Sequence, residues 1–99
     1  MTTQAQAQQE MSLSAVLGLR AAAPLAQSLM MARGADIVLN GSEVQQLGAQ
    51  CLQVLMAAAK TWRGDGRTLE IVHPSADFLD ALRRFGLDLD SLSTGEASR

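Results

Sequence analysis

Ninety-nine residues hold one domain with a single core, since a chain of this length buries roughly 60 to 70 per cent of the surface it exposes unfolded and leaves no room for a second domain. The composition is 47% hydrophobic but only 3% aromatic, and its wealth of Ala, Leu and Met suits helices packed closely on a small sheet. A net charge of -2 leaves no basic footprint for phosphate backbones, which excludes nucleic acid as a class of partner.

Met1 to Glu10 is Gln-, Thr- and Ala-rich with almost nothing large and apolar to bury, and is expected to be a disordered tail. The domain is placed at residues 11–92. From Leu13, the residues Leu13, Ala15, Leu17 and Leu19 alternate with Ser12, Ser14, Val16 and Gly18, the period-2 pattern of a first strand with one buried face. Pro24 then stands where a first helical turn tolerates a missing N–H, and Ala22, Leu25, Ala26, Leu29 and Met30 recur at helical spacing until Gly34.

Ile37, Val38 and Leu39 make an apolar run too short for a helix, the pattern of a central strand covered on both faces. A polar loop, Asn40 to Gln46, follows. The segment from Gly48 to Arg63 puts Cys51, Leu52, Leu55, Met56, Ala59 and Trp62 on one side and runs into Gly64-Asp65-Gly66, the strongest helical signal in the chain. Leu69 and Ile71 alternate with Glu70 and Val72 in another strand. Pro74 and Ser75 introduce a helix with Phe78, Leu79, Leu82 and Phe85 inward, and the Ser/Thr/Gly-rich residues 93–99 read as a second disordered tail. Alternating strands and helices with right-handed crossovers give an α/β fold: a small open, mostly parallel or mixed sheet of three or four strands with about three helices packed against it.

Few residues carry chemistry. The apolar stretches are interrupted by Gln, Lys and Arg, and the N-terminus lacks the basic and apolar regions of a secretory signal, so a cytoplasmic protein without direct membrane insertion is expected. One cysteine and one histidine cannot supply a protein-only tetrahedral metal site, and no cofactor motif is present. Cys51, on the apolar side of its helix, reads as a buried thiol rather than a nucleophile. His73 reads as a loop residue, and with no paired acid and base the chain is not read as an enzyme. Trp62 fits a partner anchor and a core cap equally well. Met30, Met31 and Met56 read as core filler, and Arg83 and Arg84 as a solvated face beside Asp77 and Asp80.

The strand Ile37–Val38–Leu39–Asn40, the loop after it, the helix LGAQCLQVLMAAAKTW, the Gly-Asp-Gly turn, the strand TLEIV, the Pro-Ser pair and Phe85-Gly86-Leu87 follow the order and spacing of STAS domains, the sulphate-transporter and anti-sigma-factor-antagonist family, which this chain resembles over Leu17 to Leu89. In that family the helix start usually reads Asp-Ser-Ala-Gly, its hydroxyl is phosphorylated by a partner kinase, and an Asp ends the preceding strand. Here those places hold Gly48, Ala49 and Asn40, and Ala49 has no oxygen to accept a phosphoryl group. Ser42 is the substitute acceptor to weigh, although a Gly-Ser pair before a helix reads first as a turn. STAS domains also usually begin with two strands, for which the chain from Leu13 leaves space for one or a very short pair.

The resemblance implies a non-catalytic bacterial adaptor that binds a protein through the loop Asn40 to Gln46 and the helix start, with Asn40, Ser42, Glu43, Gln46, Gly48, Ala49 and Gln50 as the contact residues. The implied partner is a signalling kinase, an anti-sigma-type factor or a chemotaxis component, a chemotaxis-type histidine-kinase pathway being the preferred setting. A regulatory subunit of a phospholipid transporter of the ATP-binding-cassette (ABC) type is the alternative. Exposed strand edges leave homodimerisation open.

Overall fold

The computed structural model describes residues 8–93, so of the tails expected at 1–10 and 93–99 the parts 1–7 and 94–99 lie outside the described residues. In chain order the elements are β1 (Gln8–Ser12), β2 (Val16–Leu17), a 3-10 turn (Leu19–Ala21), α1 (Ala22–Met31), β3 (Asp36–Asn40), β4 (Gln46–Leu47), α2 (Ala49–Gly64), β5 (Leu69–Val72), α3 (Ala76–Arg84) and a final 3-10 turn (Leu89–Leu92). Three strands form a parallel sheet in the order β1-β3-β5, and β2 and β4 form a separate parallel pair. The expected α/β fold with three helices is the fold observed.

The N-terminal strand differs from its expectation. The single strand read at Leu13 to Leu19 is divided between two ladders, and the first begins earlier, within the stretch read as tail. Glu10 pairs with Val38 and Met11 with Leu39, and Leu13 N–H continues that ladder to Asn40 O at 2.9 Å. The chain then crosses over, and Val16 and Leu17 pair with Gln46 and Leu47. Among the described residues two strands therefore precede α1, the number the resemblance leads one to expect. The alternation is real, because Leu13 and Leu17 are buried and Ser14 and Val16 exposed, but Leu19 lies outside it at 73% exposed. β1 was invisible because edge pairing is supplied by the backbone of β3, and of its described side chains Met11 alone packs on the core.

The sheet is covered on one face. Ile37, Leu39, Leu69 and Ile71 join Leu25, Leu29, Leu52, Leu55, Trp62, Phe78 and Leu82 in one core cluster. On the opposite face Glu10 and Glu70 are exposed and Val38 is half-buried between them in register, so the expectation of a central strand covered on both faces does not hold. The cause is that all the apolar helix stripes converge on the same side.

Trp62 is core: it is 1% exposed, and its indole Nε1–H donates to Ala35 O at 2.8 Å, joining the end of α2 to the start of β3. Nearby, Arg33 and Asp65 form a two-bonded ion pair at 2.8 and 3.0 Å, and the guanidinium holds the Asp65 carboxyl below its ordinary range. The methionines are not filler. Met30, Met31 and Met56 are 55%, 86% and 41% exposed, because they fall off the Leu25/Leu29 and Leu52/Leu55 stripes, Met30 and Met56 by one position and Met31 by two. Phe85 is likewise 45% exposed, since α3 ends at Arg84 and leaves it outside the inward stripe.

Trp62→Phe removes the indole donor, leaves Ala35 O short of a partner and opens space in a closed core. We expect a loss of about 2 to 3 kcal/mol in chemical denaturation with unchanged secondary structure; a loss below about 0.5 kcal/mol would show that the bond and the ring volume do not matter.

Candidate functional site

The loop after β3 is shaped by its own backbone. Asn40 Oδ1 accepts Ser42 N–H at 2.9 Å, closing a side-chain turn that ends the strand. Gly41 is buried, donates its N–H to Val72 O at 3.0 Å and accepts Ser75 N–H at 3.1 Å. Val44, 1% exposed, drives the middle of the loop into the core, and its N–H reaches Gly41 O at 3.3 Å. The N–H groups of Gln45 and Gln46 both donate to Ala15 O, at 2.7 and 3.1 Å, and Gly48 N–H donates to Leu17 O at 2.9 Å. A Cβ on Gly48 would stand 3.4 Å from Leu17 O, so the two segments cross at close van der Waals range.

α2 starts immediately after, with Gly48 as N-cap, no side chain capping it and no acidic residue in its first turn. Ala49 and Gln50 are exposed at that start. Cys51 points the other way: it is fully buried, donates its S–H to Gly18 O at 3.3 Å, and burial pushes its thiol pKa up. A raised pKa and a closed environment are the opposite of what an attacking thiolate needs.

Ser75 ties the loop to the next helix. Its hydroxyl donates to Val44 O at 2.6 Å and accepts Phe78 N–H at 3.0 Å, so one side chain caps α3 and fixes the loop. His73, exposed, takes a left-handed φ of 51° to make the turn into Pro74, a conformation costly for a residue with a Cβ, held here by the Gly41 bonds on either side.

With α3 so placed, a cleft of about 260 Å³ opens between it and β4, lined by Leu17, Gly18, Gln45, Gln46, Leu47 and Gly48 on one wall and Asp77, Asp80 and Arg84 on the other. Asp80 is engaged by Arg83 at 2.6 Å in an exposed pair one helical turn long. Beside the cleft, Val16, in register with Gln46, and Leu19 are 53% and 73% exposed.

The seven contact residues expected from sequence thus fall into three groups. Gln46 and Gly48 line the cleft, Ser42, Glu43, Ala49 and Gln50 lie exposed around it, and the half-buried Asn40 shapes the turn. Sequence reasoning missed Gln45, Asp77, Asp80, Arg84 and the apolar pair Val16 and Leu19. Pro74-Ser75 marked where α3 begins, but no local signal brings α3 against β4. Among the described residues no group of three or more His, Cys, Asp or Glu could hold a metal ion, and no helix is long and apolar enough to cross a membrane.

A parallel sheet, a laced loop at the strand ends and a helix starting at the surface define a small α/β domain with an exposed loop-and-helix edge. Residues 1–93 match the family described as Mlab, STAS domain, and the chain belongs to the STAS domain family. No curated protein and no solved structure matched it. Domains of this family are generally regulatory and act by binding other proteins.

Ser75→Ala removes both the cap and the bond to Val44 O. We expect a loss of about 1 to 3 kcal/mol with faster amide exchange in the 41–46 loop; an unchanged loop would show that Ser75 serves α3 alone.

Proposed function

We propose that this chain is a non-catalytic adaptor that docks a signalling protein on the edge formed by the loop 40–46, the start of α2 and the facing wall of α3. The observation that carries the reading is Ala49 at the first position of α2, where the family's phosphoacceptor hydroxyl usually stands, on a loop whose backbone groups are tied down from both sides. The location keeps the exposed N–H groups and positive dipole end that suit a phosphate, while the atom that would carry it is absent. The docking edge is then held in one state, and regulation comes from the partner or from abundance. Ser42, exposed at the tip, is the hydroxyl against which this is to be tested.

Contact chemistry supports a protein partner. Val16 and Leu19 supply exposed apolar area beside Gln45, Gln46 and Gln50, the mixture of apolar contact and neutral hydrogen-bonding groups found in transient interfaces. The partner classes this fits are a signalling kinase, an anti-sigma-type factor or a chemotaxis component, with a chemotaxis-type histidine-kinase pathway as the setting. A second reading, the regulatory subunit of an ABC-type phospholipid transporter, is favoured by the description of the matched family as Mlab, STAS domain. Stable co-purification with an ATPase subunit supports that reading, and co-purification with a histidine kinase supports the first.

The docking edge is tested by affinity capture from the native host, comparing the parent with the double variant Gln46→Arg, Gln50→Arg. Two added charges on exposed positions leave the fold intact and should weaken capture of the specific partner at least ~100-fold, about 2.7 kcal/mol. Equal capture by both forms would move the binding surface elsewhere.

A further inference from the structure

Asn40 is the only asparagine of the chain, and Gly41 follows it. Asparagine is a thermolabile residue, and it is least durable before glycine, where no Cβ crowds the next backbone nitrogen. Gly41 N can then attack Asn40 Cγ. A C–N bond forms, the bond from Cγ to the side-chain nitrogen breaks, the Gly41 N–H proton passes to base, and ammonia leaves from a five-membered succinimide. Water opens that ring at either carbonyl, giving aspartate or isoaspartate, so that amide and water become carboxylate and ammonium with no other reagent.

In the folded domain both reacting groups are held away from this course. Asn40 is the last residue of β3, extended and in register with Ser12 on one side and Val72 on the other. Ring closure requires its ψ to leave the extended range, so that the planar 40–41 peptide turns and brings the Gly41 nitrogen round to the Asn40 side chain. That turn breaks two bonds at once: Leu13 N–H to Asn40 O at 2.9 Å and Gly41 N–H to Val72 O at 3.0 Å. The side chain is engaged too, because Asn40 Oδ1 accepts Ser42 N–H at 2.9 Å. Gly41 itself is buried, and its O accepts Ser75 N–H at 3.1 Å.

We infer that Asn40–Gly41 is a modification site, converted to aspartate and isoaspartate by spontaneous deamidation, and that the hydrogen bonds of the loop hold it shut in the folded domain. Conversion runs only through opened loops, so its native rate is the unfolded-chain rate scaled by the open fraction. The two products differ in what they do to the fold. Aspartate keeps an oxygen where Oδ1 accepts Ser42 N–H and adds a negative charge to the loop that carries Glu43. Isoaspartate lengthens the main chain by one carbon, shifts the N–H and C=O groups that follow out of register and leaves the loop unlaced. The site exists whether or not the loop edge docks a partner.

The test is incubation of the full chain at mildly alkaline pH, native and in urea, followed over time by intact mass and peptide mapping. A rise in mass that maps to Asn40 reports conversion, whereas the same ring at Asp65–Gly66 leaves the mass unchanged. The unfolded parent should convert to both products, and unfolded Gly41→Ala at least ~tenfold more slowly, because its Cβ crowds the attacking nitrogen. The native parent should convert at least ~100-fold more slowly than the unfolded parent, about 2.7 kcal/mol of loop opening. Ser75→Ala should speed native conversion by the same factor by which it speeds exchange of Gly41 N–H. Native conversion as fast as that of the unfolded chain overturns the proposal. So does an unfolded parent that keeps Asn40, or a Ser75→Ala variant with faster exchange and unchanged conversion. The capture measurement with Gln46→Arg, Gln50→Arg does not depend on this chemistry, so failure here leaves the docking edge untouched.

Discussion

Everything exposed at the docking edge depends on the backbone lacing of residues 41–48. A loop between a central strand and a helix would ordinarily leave N–H and C=O groups to water and move freely. Here the N–H groups of Gly41, Val44, Gln45, Gln46 and Gly48 all find carbonyl partners, on β5, within the loop, and on the segment Ala15 to Leu17. Two flanking segments thus grip one loop, and neither is adjacent to it in sequence. Buried Val44 keeps the loop from lifting away.

On the proposed reading, this lacing is what keeps a surface available to a partner without a phosphoacceptor. A phosphate at a helix start changes charge and hydrogen bonding at one point, and the partner reads the difference. In the proposed adaptor, Ala49 at that point offers no second state to read, and a partner would meet a fixed shape. Ser75 extends the fixed region to α3, so the surface is a cleft with two walls rather than a single loop. Cys51 and His73 contribute to structure around this site, the first as a packed thiol bonded to Gly18 O, the second as the strained residue that turns the chain into α3.

How much of this was legible in the sequence follows from what each signal encodes. Side-chain periodicity encodes burial, and it placed α2, β5 and α3 to within a residue or two and identified Leu13 and Leu17 as inward. It could not show β1, whose residues enter the sheet through hydrogen bonds with β3 and, among the described side chains, bring only Met11 to the core. Periodicity also misplaced Met30, Met31 and Met56, because a flexible apolar side chain one or two positions off a leucine stripe reads the same whether it faces a core or solvent. The loop half of the proposed edge was named through resemblance, whereas the α3 half was not, since Asp77, Asp80 and Arg84 face Gln45 and Gln46 across the cleft only through the tertiary placement that Ser75 supports.

The central claim, a docking edge held in one conformation by backbone bonds before any partner arrives, is tested most directly by residue-resolved amide hydrogen exchange of the free protein. The N–H groups of Gly41, Gln45 and Gly48 should be protected to the degree of strand amides such as Leu39, since opening them requires separating the loop from both neighbours. Exchange at the rate of an unstructured chain, with Leu39 still protected, would mean that the loop is mobile on its own and takes its shape from whatever binds it.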